Sequence, residues 1–249
     1  ECNLRASRSM PFVSKARGIN LIDQATLAIL GKKINIQLSP MTTTPHVGVK
    51  VPQFSFMRLS GADPVLGVEM LSTGEVACIG ENFSDAFSKA LQAAEVHIPP
   101  KDGAILISIG GDQENKKRVI PIAKAFQEMN FRIYATANTA NVLNESGVST
   151  TVLYKVKDAQ VNPNILDYLQ EQKIDLVINV PVVNHHTDYS DIITDGYIIR
   201  RQAVEFNVPV ITNLQLAEAL VDVLKKNNSN GQSICSLNEY MDKVPWKQW

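Results

Sequence analysis

Ala104-Ile-Leu-Ile-Ser-Ile109, followed by Gly110-Gly-Asp-Gln-Glu-Asn-Lys116, decides the fold of this chain. Six residues, five of them apolar, run straight into a glycine pair. That is the pattern of a strand buried on both faces and closed by a tight turn. Strand-like runs recur at 132–135, 151–154, 176–180 and 208–212. Between and after them lie helical patterns at 117–129, 140–146, 163–172, 197–206 and 214–226. Short apolar strands separated by crossover helices predict a parallel sheet covered on both sides, in one doubly wound domain over 103–226.

Upstream, the chain is irregular and rich in punctuation. Residues 20–31 predict a helix capped near Asn20 and ended by Gly31, and 83–94 a second helix after Glu81-Asn82. A short strand is expected at 47–51, and a loop at Ser39-Pro-Met-Thr-Thr-Thr-Pro45. Pro99-Pro-Lys-Asp-Gly103 separates the two regions. The polar run Asn227-Asn-Ser-Asn-Gly-Gln-Ser233 opens a tail, 227–249, expected to be mobile. Tyr240, Trp246 and Trp249 are unusual company for such a tail, and the sequence leaves open whether they dock.

The 249 residues carry a net charge of −1, which gives no basis for nucleic-acid binding. No run reaches the ~18 apolar residues that a membrane span needs. Cys2, Cys78 and Cys235 are scattered, with neither a disulfide framework nor metal-ligand spacing. Such usage fits a reducing compartment, and a cytoplasmic location is expected.

Two places carry chemistry. In doubly wound sheets, ligands bind beyond the carboxyl ends of the strands. That rim gathers Lys116, Thr136, Asn138, Thr139, Lys155, Asn179 and Asn213, which are cationic and hydrogen-bonding groups suited to a phosphorylated or carboxylated small ligand. Thr136 and Thr139 also read as an N-cap pair, and Lys116 as a solvated helix start. The second place is Glu1-Cys-Asn-Leu-Arg-Ala-Ser-Arg8. On an extended strand Glu1, Asn3 and Arg5 share a face, and together they suit a magnesium–phosphate site or a structural ion network. With no initiator Met before it, the stretch is read as the interior of a longer chain. His185-His186, and likewise His46 and His97, lack ligand-spaced partners and read as solvated or structural. Arg200-Arg201 read as helix packing and support for the rim.

ECNLRASRSMPFVSK at 1–15, followed by VPQFSFMRLSGADPVLGVEMLSTGEVA at 51–77, resembles the large chain of carbamoyl-phosphate synthetase, over roughly residues 1–225. The resemblance implies an α/β protein: the C-terminal portion of an ATP-grasp domain over 1–100, then a methylglyoxal-synthase-like effector domain over 103–226. It implies Glu1 and Asn3 as ligands of Mg2+ (or Mn2+), with Arg5 and Arg8 near the phosphate and carboxy-phosphate. It implies Thr136, Thr139, Lys116, Lys155 and Asn179 as contacts of an allosteric nucleotide. The parent would make carbamoyl phosphate from bicarbonate, ammonia delivered by a glutaminase subunit or domain, and two ATP, the second of which phosphorylates carbamate. Alone, this piece is expected to be inactive.

Lys155 puts a cation where the urea-cycle type of the family has an aromatic residue, which favours a uridine phosphate and pyrimidine synthesis. Inosine phosphate and phosphoribosyl pyrophosphate remain open, and so does an arginine- or urea-branch parent with an acylated-glutamate effector. The loop 181–189 is longer than in bacterial relatives, so contacts to a base or sugar do not carry over. A free-standing methylglyoxal synthase would want an aspartate base where Asn179-Val180-Pro181 stands. A stand-alone ligand-binding module is the other alternative.

Overall fold

The strand at Ala104–Ile109 forms because every residue of it is buried except Ser108, which is half-buried. It is the centre of a five-stranded parallel sheet. In the computed structural model, which describes residues 6–7, 9–34, 44–65, 72–155, 162–181, 194–227 and 234–244, the chain groups into two compact units. One comprises 1–52, 75–95 and 226–249; the other comprises 53–74 and 96–225.

The first unit holds α1 (Ser9–Arg17), α2 (Leu21–Ile29), most of the two-stranded sheet β1 (Val47–Gln53) and β2 (Gly74–Gly80), and α3 (Phe83–Ala93). Asn20 caps α2 by accepting from the amide of Asp23, and Asn82 caps α3 by accepting from Asp85. Neither α1 nor β2 was legible in the sequence. His46 is buried and its Nε2 faces the carbonyl oxygen of Ala16 at 2.7 Å. A carbonyl can only accept, so Nε2 carries the proton and this histidine is structural. The tail contributes a short helix, Leu237–Asp242, to this unit.

The second unit holds a 3-10 turn (Phe56–Arg58), β3 (Ala104–Ile109), α4 (Gln113–Lys117), α5 (Ile120–Glu128), β4 (Arg132–Ala135), α6 (Ala137–Glu145), β5 (Thr151–Val152), α7 (Ile165–Gln170), β6 (Leu176–Val180), α8 (Asp195–Glu205), β7 (Val210–Ile211) and most of α9 (Leu214–Asn227). The strand order is β5-β4-β3-β6-β7, all parallel. The chain starts at the centre, winds outward through β4 and β5, then returns to wind the other way through β6 and β7. The switch in direction falls between β3 and β6.

Every expected strand of this sheet is present, the outer ones shortened. The helix expected at 117–129 is present as α5, over 120–128, with Pro121 in its first turn, where its missing N–H costs nothing; the short α4 precedes it over 113–117 and was not expected. Residues 53–74 group with the sheet rather than with the upstream unit.

Leu106, Val177, Leu153 and Ala104 pack with Ile165 and Leu169 of α7 and Ile199 and Ala203 of α8, all buried. Ile105, Ile107 and Ile109 alternate to the other face. At the start of β3, Asp175 Oδ2 accepts the amide of Ala104 at 2.7 Å. A Cβ on Gly103 would stand 2.9 Å from the carbonyl oxygen of Pro100 and 3.0 Å from that carboxylate, so the approach needs glycine.

Candidate functional site

The carboxyl ends of β3, β4 and β6 bring together most of the expected rim. In the parallel register Ser108 stands opposite Asn179, so their side chains share the face that α7 and α8 cover. Thr136, at the N-cap of α6 just beyond β4, adds a hydroxyl whose neighbours are Ser108 Oγ at 3.4 Å and Thr139 Oγ1 at 3.3 Å. Thr139 is 1% exposed, and its Oγ1 accepts the amide of Ile109 at 3.1 Å. It thus closes the end of β3 instead of facing outward. Thr136 is the hydroxyl of this pair nearer to Ser108, and it is also buried.

Lys116 is 8% exposed, with its ammonium folded back onto the carbonyl oxygens of Gly111 and Asp112. It clamps the glycine turn, so it must leave those carbonyls to reach an anion. Lys155, beyond β5, is different. Its side chain is 47% exposed, and its Nζ meets Asp195 Oδ2 at 2.8 Å, at the first residue of α8. This is the rim's accessible ammonium, already poised beside an oxyanion.

Asn179 is buried, and its Oδ1 accepts from Nη1 of Arg200 at 2.6 Å. Arg200 in turn forks onto the carboxylate of Asp63, at 2.7 Å from Nε and 2.5 Å from Nη2. A Cβ on Gly196 would lie 3.1 Å from Arg200 Nη1 and 3.5 Å from Asn179 Oδ1, so a side chain there would press on that bond. A shallow depression lined by Gly111, Asp112, Glu114, Asn115 and Arg118 adjoins the glycine turn.

Ser108, Asp195 and Asp63 are the members of the rim and its support that the sequence reading did not name. Ser108 left one signal, a lone polar residue in an otherwise apolar strand. Asp63 left none, because it lies well over a hundred residues from its partner. Of the other expected site residues, Glu1, Asn3, Arg5 and Arg8 lie outside the described residues, as do His185 and His186. Among the described residues, no group of three or more His, Cys, Asp or Glu side chains could hold a metal, and no helix is long and apolar enough to cross a membrane. Apart from the Asp195 carboxylate, which is paired with Lys155, the rim side chains are an amide, hydroxyls and an ammonium, all able to donate. An amide cannot take up a proton as a carboxylate base would, so the rim suits anion binding better than proton abstraction.

Residues 118–212 match the MGS-like domain family. Beyond those residues, the resemblance to the large chain of carbamoyl-phosphate synthetase holds. The chain is 43% identical to the multifunctional protein ura1 of Schizosaccharomyces pombe over 91% of its own length and 10% of that protein's. It is 41% identical to the carbamoyl phosphate synthase large chain, C-terminal section, of Methanopyrus kandleri, over 99% of this chain and 44% of that one. It is 40% identical to the mitochondrial carbamoyl-phosphate synthase [ammonia] of Aquarana catesbeiana, over 90% and 15% respectively. The chain thus spans between a tenth and under half of the length of these relatives.

Proposed function

We propose that this chain is the regulatory end of a carbamoyl-phosphate synthase large chain, and that its sheet rim binds a phosphorylated nucleotide. The observation that carries the reading is similarity at 40–43% identity along about nine-tenths of the chain to proteins that include carbamoyl-phosphate synthases. The parent would be a ligase that makes carbamoyl phosphate from bicarbonate, ATP and ammonia released by a glutaminase unit, in the cytoplasm and for pyrimidine synthesis. Residues 1–100 would complete its second ATP-grasp unit. There Glu1 and Asn3 would hold Mg2+ or Mn2+, with Arg5 and Arg8 on the transferring phosphate and carbamate. Metal charge offsets phosphate charge in such reactions. The 249 residues by themselves would neither make carbamoyl phosphate nor hydrolyse ATP.

At the rim, Lys155 would exchange Asp195 for the ligand's phosphate, with Thr136 and Asn179 donating beside it, Thr139 supporting, and Lys116 swinging out from the glycine turn. Calorimetry of the 249-residue chain with uridine monophosphate, inosine monophosphate, phosphoribosyl pyrophosphate and N-acetylglutamate tests this. Uridine monophosphate is expected to bind, and Lys155→Ala to weaken it roughly 10–100-fold, the loss of one charge-assisted contact. His185→Ala is expected to leave binding unchanged. Binding of N-acetylglutamate alone would move the parent to the arginine or urea branch. Equal losses in the two variants would place the ligand elsewhere.

A further inference from the structure

Three residues of α8 at positions i, i+3 and i+4 converge on one short segment, 56–63. The hydroxyl of Tyr197 donates to the carbonyl oxygen of Gly61 at 2.8 Å. Arg201 Nη1 reaches the carbonyl oxygens of Phe56 and Leu59 at 3.0 Å and of Ala62 at 3.3 Å. Arg200, its side chain 4% exposed, takes Asp63 with two nitrogens and Asn179 with the third.

The Asn179 contact has a directional consequence. A guanidinium has five donors and no acceptor, so the amide atom facing it must be the oxygen. The amide nitrogen of Asn179 is therefore turned away from Arg200, and its two N–H groups are left for other partners. Beside an isolated asparagine either orientation would be available, and the rim could offer a donor or an acceptor. Arg200 removes that choice. Asp63 in turn holds the plane of Arg200 through a bidentate pair, the geometry in which a guanidinium is most rigid. The same segment that carries Asp63 is fixed to α8 by Tyr197 and Arg201, so the carboxylate is itself held in place.

We propose that Arg200 is a positioning residue of the anion site: it locks Asn179 as a donor, and Asp63 locks Arg200. Residue 63 therefore sets the affinity of a rim it does not touch. The inference rests on the reading of the rim as a nucleotide site. The ligand atom read by Asn179 is then an acceptor oxygen, of a phosphate or a carbonyl.

A double-mutant cycle on the 249-residue chain tests the relay, with uridine monophosphate and inosine monophosphate as probes by calorimetry. Asp63→Asn keeps the shape of the side chain and loses its charge. It is expected to weaken binding ~10-fold in the wild-type background and less than ~2-fold in an Asn179→Ala background, because its effect passes through Asn179. Asn179→Ala leaves a buried guanidinium nitrogen without its acceptor, so the folding of each variant is checked by its melt. Arg200→Lys with an intact Asn179 gives a second route. Its expected signature is a changed pair of side-chain amide resonances for Asn179 in the ligand-free protein together with weaker binding of uridine monophosphate, whereas a purely structural role at 200 would leave binding unchanged. Binding with equal Asp63→Asn losses in both backgrounds, or unchanged Asn179 resonances or unchanged binding in Arg200→Lys, overturns the relay and leaves the nucleotide reading standing. Failure of the wild-type chain to bind either probe overturns both.

Discussion

Thr136 and Thr139 show how two hydroxyls three residues apart divide their work. Thr139 is consumed by the backbone at the end of β3, while Thr136 sits at the N-cap of α6 beside Ser108. Replacing Thr139 by Val keeps the volume but strands the amide of Ile109. The expected cost is about 1–3 kcal/mol, the range for a buried donor left unsatisfied, whereas Thr139→Ser stays near wild type. Urea unfolding of the two variants checks this. Lys155→Ala removes only a half-exposed ion pair, so its effect on stability stays under about 1 kcal/mol and a loss of ligand binding cannot be blamed on unfolding. At the other end, Asn3→Ala or Arg5→Ala in the full-length parent is expected to slow the second phosphorylation ~10²–10³-fold, as loss of a charge-stabilising group does. The reaction of carbamoyl phosphate with ADP to give ATP reads it, and near-normal rates in both variants would count against the assignment.

Among the elements, the short tail helix α10 (Leu237–Asp242) is the one the sequence left undecided. Within the first unit it docks by burying Tyr240, Met241 and Val244 against Ile79 and Cys235. Tyr240 meets the His46 ring edge-on at 5.8 Å and takes a hydrogen bond from Lys89 at 3.2 Å. Burial works against the charge on Lys89, but its bonds to Asp85 and Tyr240 outweigh that and raise its pKa.

The helix starts with a full capping box, Ser236 accepting from Glu239 and Glu239 accepting from Ser236 at 2.6 Å. Those bonds to Ser236 hold the Glu239 carboxyl below its ordinary pKa. A carboxyl lowered in the folded state stabilises above its unfolded pKa and loses that contribution as pH falls through the folded value. Docking of α10 should therefore weaken on acidification below the ordinary carboxylate range, and weaken less in Glu239→Gln. The amide resonances of 237–242, followed from pH 7 downward, read this directly. An identical pH response in Glu239→Gln would assign the effect to another group.

At the scale of the whole molecule, the grouping of 53–74 with 96–225 has an energetic reason. Arg200 and Arg201 are buried cations, and all but one of their partners outside their own helix lie at 56–63. Cutting the chain at the Pro99-Pro100 turn would leave both guanidiniums short of partners, and breaking a buried pair of this kind typically costs about 3–5 kcal/mol. A piece starting at residue 103 should consequently melt well below one starting at residue 53. Equal melting temperatures would mean that the contacts to 56–63 add nothing to stability.

The parallel sheet is legible in the order of residues, because buried β-strands and their crossover helices leave periodic signatures within a few residues of one another. So are the polar side chains that stand at the strand ends, since position along a strand fixes the end at which a residue sits. How those side chains are used depends on contacts between elements far apart in the chain. Lys116 turns back onto its own loop, Thr139 onto β3, and Lys155 onto Asp195 forty residues away. Asn179 is oriented by an arginine that is itself held by an aspartate 137 residues earlier. Such pairings depend on which elements lie side by side in space, and no local pattern of residues encodes them.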